Sequence, residues 1–157
     1  MLIIRDGQNS DLETIYRYII ALAEEEAFPY PLNVKKDKLA KNLFSENSIG
    51  QCLVLECEGQ VCGFAVYYYT ISTTQGKKGL HLDDFYIEPS FRRRGCGREV
   101  MVYLANLARE NDCTRFEWWV LKNNRSAINF YHSLGADDLT ELSVFRLDEE
   151  MISLLVK

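Results

Sequence analysis

The run Ile87-Glu88-Pro89-Ser90-Phe91-Arg92-Arg93-Arg94-Gly95-Cys96-Gly97-Arg98 decides the reading of this chain. Before it, residues 79–87 (GLHLDDFYI) read as a strand that Glu88-Pro89 closes. After it, residues 97–111 carry Val100, Leu104, Leu107 and Ala108 on one helical face. The run is therefore a strand-to-helix connection. Gly95 and Gly97 let the backbone turn tightly with no Cβ in the way, so amide N–H groups can converge on an anion. The following helix adds unpaired N–H groups and the positive end of its dipole. Arg92, Arg93, Arg94 and Arg98 place four guanidinium groups within seven residues, each able to grip two phosphate oxygens. These features describe a cradle for a diphosphate. A dinucleotide-binding fingerprint would need a third glycine where Val100 stands, and a Walker A loop would need GK[ST] after the glycines. Neither is present.

Working outward, residues 2–5 read as a short strand, and Asn9-Ser10-Asp11 cap a helix with Leu12, Ile15, Tyr16, Ile19, Ile20 and Ala23 at helical spacing. Phe28-Pro29-Tyr30-Pro31 ends it, because proline lacks the amide donor. A second helix is predicted over 35–44. Strands at 51–57 and 61–69 are joined at Glu58-Gly59-Gln60 by a tight hairpin turn. Phe116–Leu121 is read as strand, Asn124–Leu134 as a helix closed by Gly135, 142–147 as a last strand and 148–156 as a terminal helix. The expected fold is α+β, one domain over 1–157. It has a largely antiparallel twisted sheet of six to seven strands and about four helices on its faces.

The composition fits that class. The 157 residues are 47% hydrophobic and 26% charged, with a net charge of −5. The acidic balance argues against nucleic acid, whose binding draws on clustered Lys and Arg. No run approaches the ~20 apolar residues of a membrane span, and Asp6 interrupts any leader-like stretch. The five cysteines (Cys52, Cys57, Cys62, Cys96, Cys113) are odd in number and form no CxxC pair, and there are only two histidines. Neither a zinc site nor a disulfide framework is expected. Reduced thiols and a cytoplasmic setting are. Cys96 lies at a helix N-terminus, which lowers a thiol pKa, yet no histidine is near it in sequence. It is read as packing, not as a nucleophile.

The glycine-arginine run resembles the acetyl-CoA signature of the GNAT N-acetyltransferases, which is Arg or Gln, two residues, Gly, any residue, then Gly or Ala. Arg92, Gly95 and Gly97 occupy its fixed positions. The downstream run Asn124-Arg-Ser-Ala127-Ile-Asn-Phe130-Tyr131-His-Ser-Leu-Gly135-Ala136 is similar to the family's second signature. Within the family the chain resembles the diamine acetyltransferases at Leu22-Ala23-x-x-Glu26, Leu82-Asp83-Asp84-Phe85, Ala127–Tyr131 and Gly135-Ala136-x-Asp138-Leu139. It departs from them where Asp83 replaces a Glu, Asn123 a Trp and Leu142-Ser143 a Trp-Arg pair.

The resemblance implies an acetyl-CoA-dependent enzyme acting on a primary amine of a small cationic molecule, as a homodimer and without a metal. The acceptor is a diamine, a polyamine or a lysine-like amine. The cofactor would be held by Phe85, Tyr86, Ile87, Arg92, Arg93, Arg94, Gly95, Cys96, Gly97, Arg98, Asn124 and Tyr131. Asp83 is implied as the site carboxylate, and Tyr131 as the acid that protonates the leaving thiolate. Glu26, Asp83 and Asp84 are candidates for holding the cation. Adjacent strand residues point to opposite faces, so only one of Asp83 and Asp84 is expected to face a given cleft. A peptide acetyltransferase and a CoA-binding module without turnover are the rival readings.

Overall fold

Glu58 and Gly59 both adopt positive φ, 55° and 79°, and form a two-residue turn that sets Cys57 opposite Gln60. Such a turn matches the twist of the strands it joins. It connects β2 (Gln51–Cys57) to β3 (Gln60–Ser72). With β1 (Leu2–Asp6), β4 (Lys77–Ile87) and β5 (Arg115–Trp118) they make one five-stranded sheet in the order β1-β2-β3-β4-β5. The first three pairings are antiparallel and β4–β5 is parallel. The parallel pair requires a crossover, supplied by α3 (Cys96–Glu110).

The computed structural model describes residues 1–157, which divide into two units, Met1–Asn124 and Arg125–Lys157. The first holds the whole sheet together with α1 (Leu12–Glu25), α2 (Lys36–Phe44) and α3. Alternation along the strands puts Cys52, Val54, Phe64 and Val66 on one face, where they pack with Ile15 and Tyr18 of α1 and with Tyr86. The Tyr18 hydroxyl donates to the Val61 carbonyl at 2.9 Å, so its polar end is satisfied at the edge of this core. Leu53, Leu55 and Ala65 are out of phase with that set and equally buried, so both faces are covered. α3 turns Val100, Met101, Leu104 and Ala108 inward. Fully burying a side chain such as Phe64 or Leu104 contributes ~1.5–3 kcal/mol, so these layers dominate the fold's stability.

The second unit holds α4 (Arg125–Ser133) and α5 (Glu149–Leu155). α4 closes at Gly135, whose φ is 87°. Asp148 caps α5, accepting a hydrogen bond from the Met151 amide at 2.9 Å.

Two sequence expectations are corrected here. The sheet has five strands, not six to seven, and there are five α-helices. Residues 142–147 form no strand, and β5 ends at Trp118. A β-branched, aromatic run becomes a strand only when a neighbour takes its amides and carbonyls, and residues 125–157 contain no strand to do so. The α+β class and the mainly antiparallel sheet hold.

Candidate active site

The sheet is irregular where β3 pairs with β4. Val66 pairs with Asp84 and Tyr67 with Leu82, which leaves Asp83 as an extra, bulged residue on β4. A bulge places two residues against one and breaks the strict alternation of faces. Asp83 and Asp84 consequently line the same cavity, of about 470 Å³. The expectation that only one of them would face a given cleft is corrected, because it assumed a regular strand. Val66, Tyr68 and Ile19 form apolar wall, and Lys35 and Lys38 contribute from the start of α2.

Burial pushes the Asp84 carboxyl up to about 7, with the nearby charges of Asp83 and Glu26 adding to the effect. Glu26 is also raised, mainly by burial, against the opposing hydrogen bond from Asn124 Nδ2 to its Oε1 at 3.3 Å. Asp83 and Glu26 thus each lie within electrostatic reach of Asp84. Burial and the Asp83 charge raise the Tyr68 phenol as well, so it stays neutral beside them.

β5 pairs with β4 only from Gly79 to Leu82. Beyond that point residues 83–87 have no strand beside them on that side, and this edge includes Phe85, Tyr86 and Ile87. The Tyr86 and Ile87 side chains are buried. What these residues can offer a ligand is backbone, and the Ile87 carbonyl already accepts Arg92 Nε at 2.7 Å.

A 3₁₀ turn (Pro89–Phe91) then leads into the arginine run. Gly95 is the N-cap of α3 with φ 88° and ψ −13°, a left-handed conformation that costs a residue with a Cβ roughly 1–2 kcal/mol. No side chain caps α3. Glu99 N donates to Gly95 O at 3.1 Å and is the first bond of the helix, so the amides of Cys96, Gly97 and Arg98 have no intrahelical acceptor. A Cβ built on Gly95 would meet nothing within 4 Å, so the glycine is required here by its backbone conformation and not by crowding. This geometry fits the diphosphate of coenzyme A.

The arginines divide by role. Arg92 forms a fork with Glu25 at 2.6 and 2.7 Å and lies over the Tyr86 ring at 5.4 Å. Arg94 reaches Glu58 at 3.2 Å and lies over Phe91 at 5.2 Å. Arg93 is exposed, with φ 61°. Arg98 shares with Gly95 a second, open depression of about 530 Å³ along α3. Cys96 is buried with its Sγ 3.8 Å from that of Cys57, and burial and Cys57 raise its pKa. That is the packing environment expected of it.

Asn124 ends the first unit. Tyr131 belongs to the second, on α4, its ring 5.2 Å from that of Phe130. Sequence reading missed Glu25 as the partner of Arg92, since 67 positions separate them. It also missed Lys35 and Lys38. Only their i, i+3 spacing at the start of a helix hints at a shared face.

No group of three or more His, Cys, Asp or Glu side chains is arranged to hold a metal ion. No helix is long and apolar enough to cross a membrane.

Comparison with known proteins identifies the family and the fold. The acetyltransferase (GNAT) family model matches residues 17–136. The thialysine N-epsilon-acetyltransferase of Mus musculus is 36% identical over 146 residues, covering 88% of this chain and 85% of that protein. The spermidine/spermine N(1)-acetyltransferase-like protein 1 of Homo sapiens is 31% identical over 157 residues, 94% of this chain but 22% of that longer protein. An integron cassette protein from the mobile metagenome of V. cholerae has the same fold, with a TM-score of 0.80 at 24% identity, over 99% of this chain and 98% of that one. A family match across most of the chain and a relative above 30% identity lead to one conclusion: the chain belongs to the GNAT family and is an N-acetyltransferase.

Proposed function

We propose that the chain transfers an acetyl group from acetyl-CoA to a primary amine of a small cationic molecule, by direct attack in a ternary complex. The acceptor class is a diamine, a polyamine or a lysine-like amine. The observation that carries the reading is the bulge at Asp83, which turns two carboxylates into one cavity and leaves Asp84 titrating near neutrality.

A primary alkyl ammonium has a pKa of about 10.4 and cannot attack until it loses a proton. Transfer of that proton to an ordinary carboxylate of pKa ~3.9 is uphill by roughly 9 kcal/mol, whereas transfer to a group near 7 is uphill by roughly 5 kcal/mol. The raised carboxyl therefore removes about 4 kcal/mol from the deprotonation step. The Asp83–Asp84 pair is the proton-accepting unit. The resemblance assigns that duty to Asp83, and the physical chemistry of the pair puts the proton on Asp84. Glu26 and Asp83 hold the cation by charge.

Bound acetyl-CoA supplies an acyl group activated as a thioester. The Cys96, Gly97 and Arg98 amides and the positive end of α3 hold its diphosphate, with Arg93 and Arg98 adding charge. Arg92 and Arg94 shape the loop from behind. The open edge at residues 83–87 lends backbone to the pantetheine arm, together with Asn124. Tyr131 donates a proton to the departing sulfur, by analogy with the family. The family match runs from 17 to 136, across the boundary between the two units, which supports one working domain over 1–157. A cytoplasmic homodimer completes the reading.

The test is release of CoA thiol from acetyl-CoA with diamines, polyamines, lysine analogues and aminoglycosides as acceptors. Turnover with at least one small amine is expected. CoA binding without turnover on any of them would leave a binding module in place of the enzyme.

A further inference from the structure

The cavity beside the bulge carries charge of both signs. Asp83 and Asp84 enter it from β4, and Lys35 and Lys38 from the start of α2. None of the four possible carboxylate–ammonium combinations closes to an ion pair: the bridges of the chain join other residues. No lysine is among the charges that act on Asp84. The two signs of charge thus line one cavity without contact between them. The rest of the lining is largely apolar, with Val66, Tyr68 and Leu39.

The neighbouring lysine behaves differently. Lys36 is tied to Glu13 at 2.6 Å and lies over the Tyr16 ring at 4.7 Å, which leaves it out of the cavity. Lys35 and Lys38 are one helical turn apart and exposed, so their ammonium groups remain available. A diamine or polyamine entering this cavity would bring a second cation towards two lysines. A lysine-like amino acid brings a carboxylate beside that second cation, so its far end carries no net charge.

We propose that Lys35 and Lys38 are specificity-determining residues that bind the α-carboxylate of a lysine-like amino acid, while its side-chain ammonium faces Asp83 and Asp84. The inference rests on the acetyl-transfer reading for the identity of the reacting end, and adds the recognition of the other end. Selection works by repulsion as well as attraction, because the same two lysines disfavour the polyamine.

L-Lysine and cadaverine differ by one carboxylate and serve as the probes. Calorimetry on the full chain should show L-lysine binding more tightly than cadaverine. In Lys35→Ala/Lys38→Ala that preference should fall about tenfold, which is about 1.4 kcal/mol, the scale available to two partly exposed charge pairs. In Lys35→Glu/Lys38→Glu it should reverse, with KM for cadaverine falling in the turnover assay. Lys36→Ala is the control and should leave the ratio unchanged. Equal affinities for the two probes in the wild-type protein, or a ratio that the double variants do not move, would overturn the proposal. Because binding is read separately from turnover, lysine selectivity without acetylation would instead count against the acetyl-transfer reading.

Discussion

Arg92 and Glu25 form a two-pronged pair, Nη1 to Oε1 at 2.6 Å and Nη2 to Oε2 at 2.7 Å, that fastens the arginine-rich loop before α3 to the end of α1. Glu25 is followed by Glu26, which accepts from Asn124 and acts on Asp84. One arginine thus ties the loop before α3 to the helix end that carries Glu26, and through it to the neighbourhood of Asp84.

Arg92→Ala should weaken CoA binding about tenfold and also raise KM for the amine, because both ends of the link lose their anchor. Arg92→Lys should not restore either, since an ammonium cannot make the fork. The pair is partly exposed, so thermal stability should change by less than about 1 kcal/mol. Unchanged CoA affinity by calorimetry would show that the loop holds its shape without this residue.

Asp84→Asn should lower turnover about 100-fold or more with CoA affinity preserved. In the wild-type protein kcat/KM should rise with pH through about 7, as the carboxyl loses its proton and becomes able to accept one. The Asn variant should lack this acidic limb. A pH profile that keeps the limb would move the proton acceptor elsewhere.

The same group makes a stability prediction of opposite sign. Its folded-state pKa of about 7 lies above the ordinary carboxyl value, so the folded protein holds a proton that the unfolded chain releases. The stabilisation is fully present below about pH 4 and is lost as pH rises through about 7, at most about 4 kcal/mol. Asp84→Asn should therefore melt higher than wild type at pH 8, with the gap closing towards pH 4. Equal melting temperatures across that range would show that Asp84 is solvated well enough to ionise without cost.

Gly95→Ala should cost about 1–2 kcal/mol of stability or distort the loop, because φ is 88° there. The sharper readout is CoA affinity, expected to fall further than in a Gly76→Ala control. Gly76 has a positive φ of 65° but lies in the β3–β4 turn, away from the loop.

Tyr131→Phe should reduce turnover more than it reduces CoA affinity, since the ring stays and only the proton-donating hydroxyl is removed. Wild-type turnover in that variant would eliminate the phenol as the acid.

Local chemistry determined much of this protein before any contact was known. Glu58-Gly59 reads as a tight turn, Pro29 and Pro31 stop α1, and Gly95-x-Gly97 between a strand and a helix reads as an anion cradle. Each depends on the conformational range of one or two residues. The site was legible only as a list of carboxylates and arginines. That Asp83 and Asp84 share a face follows from the β3 residues opposite them, and that Arg92 is held by Glu25 follows from how α1 lies against the sheet. That residues 142–147 form no strand is likewise not written in their own sequence, and residues 125–157 contain no strand for them to pair with. Register, ion pairing and strand formation are settled by groups distant in sequence, and no local pattern encodes which of them will meet.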